Sequence, residues 1–288
     1  MMDSIELKAR AKINLSLDVL KRQPDGYHQV RMIMQTIALH DRVLITKTDG
    51  GIHIACNSRW VPSSSENIAY KACELVLNRY GIKSGLNIVI DKKIPVAAGL
   101  AGGSTDAAAV LKGMNAVFSL GLGQAELMAL GKEIGADVPF CIKGGTVLSE
   151  GIGEILTALD PLNGMNIVLV KPPIGVSTAW VYKNLDLGKI EKRPDTNLLL
   201  HAVKQGDIRT LAGNMGNVLE TVTIEKHAII KRVKDRLMEL GALGSMMSGS
   251  GPSVFGVFAD KKSALYAYET VKKSKWDCFM TESICEEM

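Results

Sequence analysis

The five cysteines are odd in number, and no two of them form a C-x-x-C pair. Cys56, Cys73, Cys141, Cys278 and Cys285 thus argue against a disulfide framework or a zinc site, and for a reducing compartment. No stretch reaches the roughly 18 apolar residues of a membrane span. The opening MMDSIELKARAK carries no apolar run of signal-peptide length. We expect a soluble chain that stays in the cytoplasm and away from membranes. A one-sided charge is missing too, because 34 basic residues face 30 acidic ones for a net +4. That mild excess suits anionic small molecules and is too weak to indicate nucleic acid. Neither an internal repeat nor a low-complexity linker interrupts the chain.

What is present reads as an ordinary globular protein, with 288 residues, 47% hydrophobic and 22% charged. That length suggests about two domains, and it buries roughly 75% of the unfolded surface without staples. In KINLSLDVL, Ile13, Leu15, Leu17 and Val19 alternate with polar residues, the period of a strand. RVLITKTDGGIHIACN reads as a hairpin turning at Asp49-Gly50-Gly51. Ser63 and Glu66 have capping-box spacing and open a helix that stops at Gly81. LNIVID and NIVLV are strands, and Gln124–Ile134 is a helix ended by Gly135. Further helical stretches lie around 178–185, 196–204, 225–240 and 263–273, with a last strand near 279–284. We read two α+β domains, 1–158 and 159–288, with the cleft between them as the natural ligand site.

Three constellations can carry chemistry. In PVAAGLAGGSTDAAAVLKGMN a glycine-rich loop runs straight into an alanine-rich helix, the residue types least and most disposed to helix. Ser104, Thr105 or Asp106 can cap the junction. Free N–H groups at the positive end of a helix dipole bind anions, and Ser104 and Thr105 add hydroxyl donors. The lysine of a Walker A loop is missing, and so is the G-x-G-x-x-G pattern. A tight turn that needs glycine only for close packing is the plain alternative. In the second constellation, Lys12 and Asn14 share one face of their strand, about 7 Å apart. They either place an oxygen-rich substrate or form the solvated face of an edge strand. PDGYH is a turn by its chemistry. It leaves Tyr27 and His28 to stack on and hydrogen-bond a heterocyclic base, or Tyr27 to fold back over its own hairpin. The third is IGADVPFCIKGG, where Pro139 pushes Val138 towards extended geometry. Asp137 stands among apolar neighbours whose burial would favour a working base, or else it simply caps the turn.

In this order AKINL, PVAAGLAGGST and SGSGPSVFGVF resemble the three motifs of the GHMP kinase superfamily, and the likeness runs from residue 8 to about 258. The resemblance implies an N-terminal domain like domain 2 of ribosomal protein S5 and a ferredoxin-like C-terminal domain. It also implies phosphoryl transfer from ATP, with Mg²⁺, to a small-molecule alcohol by a monomer or homodimer. The triphosphate would lie along Pro95, Val96, Ala97, Ala98, Gly99, Leu100, Ala101, Gly102, Gly103, Ser104 and Thr105. Asn67 and Lys92 match residues near the adenine. Lys12 and Asp137 match the catalytic lysine and aspartate. The PDGYH and GADVPF pieces are similar to the member that acts on a cytidyl-diphosphate sugar alcohol. There Tyr27 and His28 match the cytosine-binding turn, Tyr182 an aromatic stacking from the opposite side, and Asn14 a contact to the sugar-alcohol portion. Gln23 and Gln29 depart from that pattern, outside the contacts. The rival readings are a homoserine or mevalonate acceptor and, from another class, an RNA binder.

Overall fold

The computed structural model describes residues 3–24, 26–274 and 276–285. Asp25 of the PDGYH turn lies outside them. The first half contains β1 (Ser4–Arg22), β2 (His28–Thr48), β3 (Ile52–Cys56), α1 (Ile68–Arg79), β4 (Gly85–Asp91) and α2 (Gly102–Val117). It continues through α3 (Gln124–Ile134), α4 (Val138–Lys143), β5 (Thr146–Glu150) and β6 (Ile155–Ala158). In the second half come β7 (Asn166–Lys171), α5 (Thr178–Asn184), α6 (Thr196–Gln205), α7 (Ile208–Asn214), β8 (Gly216–Asn217) and α8 (Glu220–Lys226). Last are α9 (Ile229–Glu239), β9 (Gly244–Met247), β10 (Val254–Phe258), α10 (Lys261–Val271) and β11 (Asp277–Glu282). Among the described residues no helix is long and apolar enough to cross a membrane.

The larger sheet runs β3-β4-β2-β1-β8, with β5 and β6 branching from β2. The smaller one runs β11-β7-β10-β9 and is antiparallel throughout. Counted along the chain that order is 4-1-3-2, with α9 before its second strand and α10 before its fourth. This is the ferredoxin-like arrangement. β8 belongs to the second half in sequence, yet it pairs with Ser16 and Leu17 of β1 and stitches the halves together.

Three local expectations are corrected. The hairpin after Thr48 does not form, because β4 enters between β2 and β3 and pairs antiparallel with one and parallel with the other. Leu86, Ile88 and Ile90 of β4 are fully buried whereas Ile54 is the buried residue of β3, so the more apolar strand takes the inner place. The period of two along β1 is broken by register shifts between Arg10 and Lys12, and between Asn14 and Ser16. Such a bulge reverses the faces that follow it. Ile13 and Leu15 join one apolar cluster, Leu17 and Val19 the other. The helix after Ser63 starts later, capped by Asn67, whose Oδ1 accepts from Ala69 N at 2.9 Å.

Helix α4 was not expected. Pro139 does not drive Val138 into extended geometry; it sits in the first turn of α4, where its missing N–H leaves nothing unpaired. The stretch 225–240 is two helices that part at His227 (φ −130, ψ 74), after the β-branched run Thr221–Ile224.

Candidate active site

The glycine-rich loop is built on left-handed residues, Ala97 (φ 52), Gly99 (φ 76) and Ala101 (φ 57). Ala101 is the N-cap of α2 and none of Ser104, Thr105 and Asp106 caps it, contrary to expectation. The helix begins early, at Gly102, with Thr105 N donating to Ala101 O at 2.8 Å. The amides of Gly102, Gly103 and Ser104 thus precede the first intrahelical bond and face the mouth of the dipole. Thr105 is corrected as well: it is fully buried, so its hydroxyl is not presented at that mouth.

Beneath the loop lies a buried ionic node. Lys92 Nζ donates to Asp41 Oδ2 at 2.5 Å and to Asp106 Oδ2 at 2.7 Å. Asp41 Oδ1 also accepts from the amides of Lys93 (2.5 Å) and Ile94 (2.7 Å), which lead into the loop. Burial alone would lower the Lys92 ammonium, but Asp106 and Asp41 outweigh it and raise it. Burial, with the like charge of Asp41, pushes Asp106 up to about 7 against the pull of Lys92. The ammonium is therefore committed to two carboxylates. A Cβ on Gly102 would come within 2.9 Å of it, so the node supports the loop from below. Lys92→Met leaves both carboxylates buried without their cation. We expect it to lose about 3–5 kcal/mol of unfolding free energy in urea titrations, and a loss below about 1 kcal/mol would place the ion pairs at a mere surface value.

Lys12 and Asn14 do not form a solvated edge. β1 lies between β2 and β8, and Lys12 and Asn14 are 5% and 0% exposed. Lys12 Nζ donates to Asn14 Oδ1 at 2.8 Å and stands 3.9 Å from Asp137 Oδ2. The Asp137 side chain is 40% exposed, so its apolar sequence neighbours do not desolvate it. It makes no capping bond either, which removes the plain alternative for this residue. Behind it, burial and the Asp137 charge push the Cys141 thiol up, so that thiol stays protonated.

The third glycine-rich segment closes on the other two. Ser248 Oγ donates to Gly99 O at 3.0 Å, Ser253 N to Ala98 O at 3.3 Å, and Lys12 N to Leu100 O at 3.2 Å. A Cβ on Gly249 would lie 3.6 Å from both Lys12 Nζ and Asn14 Oδ1. Asn217 Nδ2 pins the segment by donating to Met247 O (2.9 Å) and Gly249 O (2.7 Å). Asn67 stands at the head of α1, where Ile68 is 3.4 Å from a Cβ on Gly103. Its own Nδ2 is occupied by Pro62 O at 2.8 Å.

The His28 and Tyr182 rings meet with centroids 5.3 Å apart and planes tilted by 40°. Burial, then Asp137, pushes the Tyr182 hydroxyl up, which sets this ring within the field of that carboxylate. Burial, then Arg22, lowers His28, leaving a neutral imidazole with one donor and one acceptor at neutral pH. Tyr27 is 60% exposed at the exit of the turn, where Gln23 N donates to Tyr27 O at 2.7 Å.

Asp41 and Asn217 were missed by the sequence reading, Ser248 was read only as part of the SGSGPSVFGVF motif, and Asp106 only as a cap. Asp41 closes the MQTIALHD stretch, a signal that was available. Asn217 sits on a two-residue strand with no pattern to reveal it.

The family model for the GHMP kinases N terminal domain matches residues 67–145, and that for GHMP kinases C terminal matches residues 199–277. The chain belongs to the GHMP kinase family, and it is a small-molecule kinase with ATP as phosphoryl donor. Over 283 residues it is 63% identical to 4-diphosphocytidyl-2-C-methyl-D-erythritol kinase of Acetivibrio thermocellus, covering 98% of this chain and 100% of that one. It is 52% identical to the protein of that name from Alkaliphilus metalliredigens, over 94% of this chain and 93% of that one. A crystal structure of 4-(cytidine 5'-diphospho)-2C-methyl-D-erythritol kinase matches it at a TM-score of 0.85 and 31% identity, covering 97% and 99% of the two chains.

Proposed function

We propose that this chain transfers the γ-phosphoryl group of ATP to the 2-hydroxyl of 4-diphosphocytidyl-2-C-methyl-D-erythritol, in the cytoplasm, on the non-mevalonate route to isopentenyl diphosphate. The observation that carries the site assignment is the Lys12–Asp137 pair, 3.9 Å apart, with Lys12 N bonded to Leu100 O of the glycine-rich loop and Tyr182 within the field of Asp137. We place the division between the domains at 158/159, between β6 and β7.

In this reading the triphosphate lies along 95–104, its charge met by the amides of Gly102, Gly103 and Ser104. The acceptor's base packs against Tyr27, His28 and Tyr182. Asp137 accepts the proton of the 2-hydroxyl as the new O–P bond forms and the bond to the β–γ bridging oxygen breaks, releasing ADP. Lys12, held by Asn14, keeps a positive charge beside Asp137 and the transferring group. Asn14 thus acts on Lys12 and has no exposed surface of its own for the acceptor. Among the described residues no three His, Cys, Asp or Glu side chains gather to hold a metal. Mg²⁺ would come with the nucleotide, as its preference for phosphate and water oxygens allows, with the Ser104 hydroxyl as the protein group to hold it. When bound, it supplies neutralising charge to the phosphoryl oxygens.

The test is ADP release from ATP over a panel of sugar alcohols with and without the cytidyl-diphosphate group. Turnover confined to the cytidyl compound is expected. Tyr182→Ala should raise its KM by about tenfold, the worth of one aromatic stack, with the KM for ATP unchanged. Equal turnover of the bare sugar alcohol would overturn the acceptor.

A further inference from the structure

The edge of β1 away from β2 is covered first by backbone and then by a side chain. Val218 N, just past β8, donates to Leu17 O at 3.0 Å. Two residues along, Arg193 Nη1 donates to Val19 O at 2.9 Å and also to Asp18 Oδ1. The Asp18 side chain is 9% exposed, and Arg193 is the ion-pair partner it has among the described residues. The next residue, Pro194, packs on β8 within 3.2 Å of where a Cβ on Gly216 would stand. Arg193 and Pro194 end the stretch that leaves α5, and at the other end of α5 Thr178 Oγ1 meets Ser250 Oγ at 2.7 Å. Between these anchors is Tyr182, whose ring rests on His28. Both ring-bearing elements therefore reach back to β1, His28 through its pairing with Arg22 and Tyr182 through Arg193.

We propose that Arg193 is a specificity-determining positioning residue, which fastens the 185–195 strap to Asp18 and Val19 of β1 and so sets Tyr182 against His28 for an acceptor that carries a nucleobase. The inference rests on reading that ring pair as the base pocket. An exposed ion pair would contribute little, but here one guanidinium nitrogen satisfies a buried carboxylate and a strand carbonyl together. Its loss frees the far end of the strap, and with it a restraint on the segment that leads back to Tyr182. Small displacements of a positioning group weaken binding steeply.

Arg193→Met, Arg193→Lys and Asp18→Asn are compared with the wild type in steady-state turnover, with ATP and with 4-diphosphocytidyl-2-C-methyl-D-erythritol or 2-C-methyl-D-erythritol as acceptor. Arg193→Met is expected to raise the KM of the cytidyl acceptor about tenfold and leave that of ATP within about twofold. Arg193→Lys recovers part of the loss, and Asp18→Asn, which keeps the shape, moves the same KM in the same direction. An unchanged acceptor KM overturns the proposal. So does a parallel rise in both KM values with a fall in Tm, which would make Arg193 a structural residue only. A wild type that fails to distinguish the two acceptors overturns the base-pocket reading itself, whatever the variants do.

Discussion

Asp137→Asn is expected to lower kcat about 10³-fold, the middle of the range that a positioned base contributes. The substitution changes one oxygen to an amide and alters little else. Asp137 makes no capping bond, and its side chain is 40% exposed, so Tm should stay within a degree or two of the wild type. The glycine-rich loop is also untouched, since its contacts run through Leu100, Gly99 and Ala98 to Lys12 N, Ser248 and Ser253. The KM for ATP should therefore not move, and kcat and kcat/KM for the alcohol should fall together. That pattern marks an interaction made in the transition state alone. Rapid-quench measurement of ADP at saturating substrates separates this from slow product release. Turnover within tenfold of the wild type would remove Asp137 as the base.

The partner of that carboxylate makes the prediction sharper. Lys12 is nearly without exposed surface, and a buried ammonium needs oxygen ligands. Asn14 Oδ1, at 2.8 Å, remains in the variant and keeps the lysine in place. The loss in Asp137→Asn then reports the missing proton acceptor rather than a displaced cation.

Much of this arrangement could be read from residue order, for physical reasons that differ by element. The helix at Gln124–Ile134 matched in full, because Gly123 and Gly135 bracket it and Glu126 reaches back to Gly123 N at 2.8 Å. Local signals of that kind need no tertiary knowledge. The glycine-rich loop running into α2 was legible for the same reason, except that the helix starts on Gly102 with left-handed Ala101 as its cap. Glycine propensity argues for a later start, and the packing of Gly102 over Lys92 overrides it. What failed was long-range. Nothing local says that β4 would come between β2 and β3, since that choice depends on which strand is the more apolar once all three compete. Nor does local sequence reveal that Lys92 would be consumed by Asp41 and Asp106, residues 51 and 14 positions away. Asn217 illustrates the same limit from the other half of the chain: its amide matters because β8 crosses back to β1, a feature of topology with no periodic trace.

Gly99→Ala should cost more activity than any other single methyl group added to the loop, lowering kcat/KM for ATP about 10²-fold. Two effects act together. Gly99 has φ +76, and an L-residue there is strained by roughly 1 kcal/mol. The new Cβ would also lie 2.2 Å from Ser248 O and 3.0 Å from Gly251 O, both backbone atoms with no side-chain freedom to yield. The third glycine-rich segment must retreat, and with it go the bonds from Ser248 Oγ to Gly99 O and from Ser253 N to Ala98 O. Because Gly249 of that segment also stands beside Lys12 and Asn14, the disturbance reaches both the glycine-rich loop and the proposed catalytic lysine. Gly121→Ala separates the two effects. Gly121 has φ +70 but open space around its Cβ position, so it shares the backbone strain without the collision. It should lose about 1 kcal/mol of stability and keep its kcat/KM. If the two variants lose activity equally, strain alone accounts for Gly99 and the contact between the two loops does not position ATP.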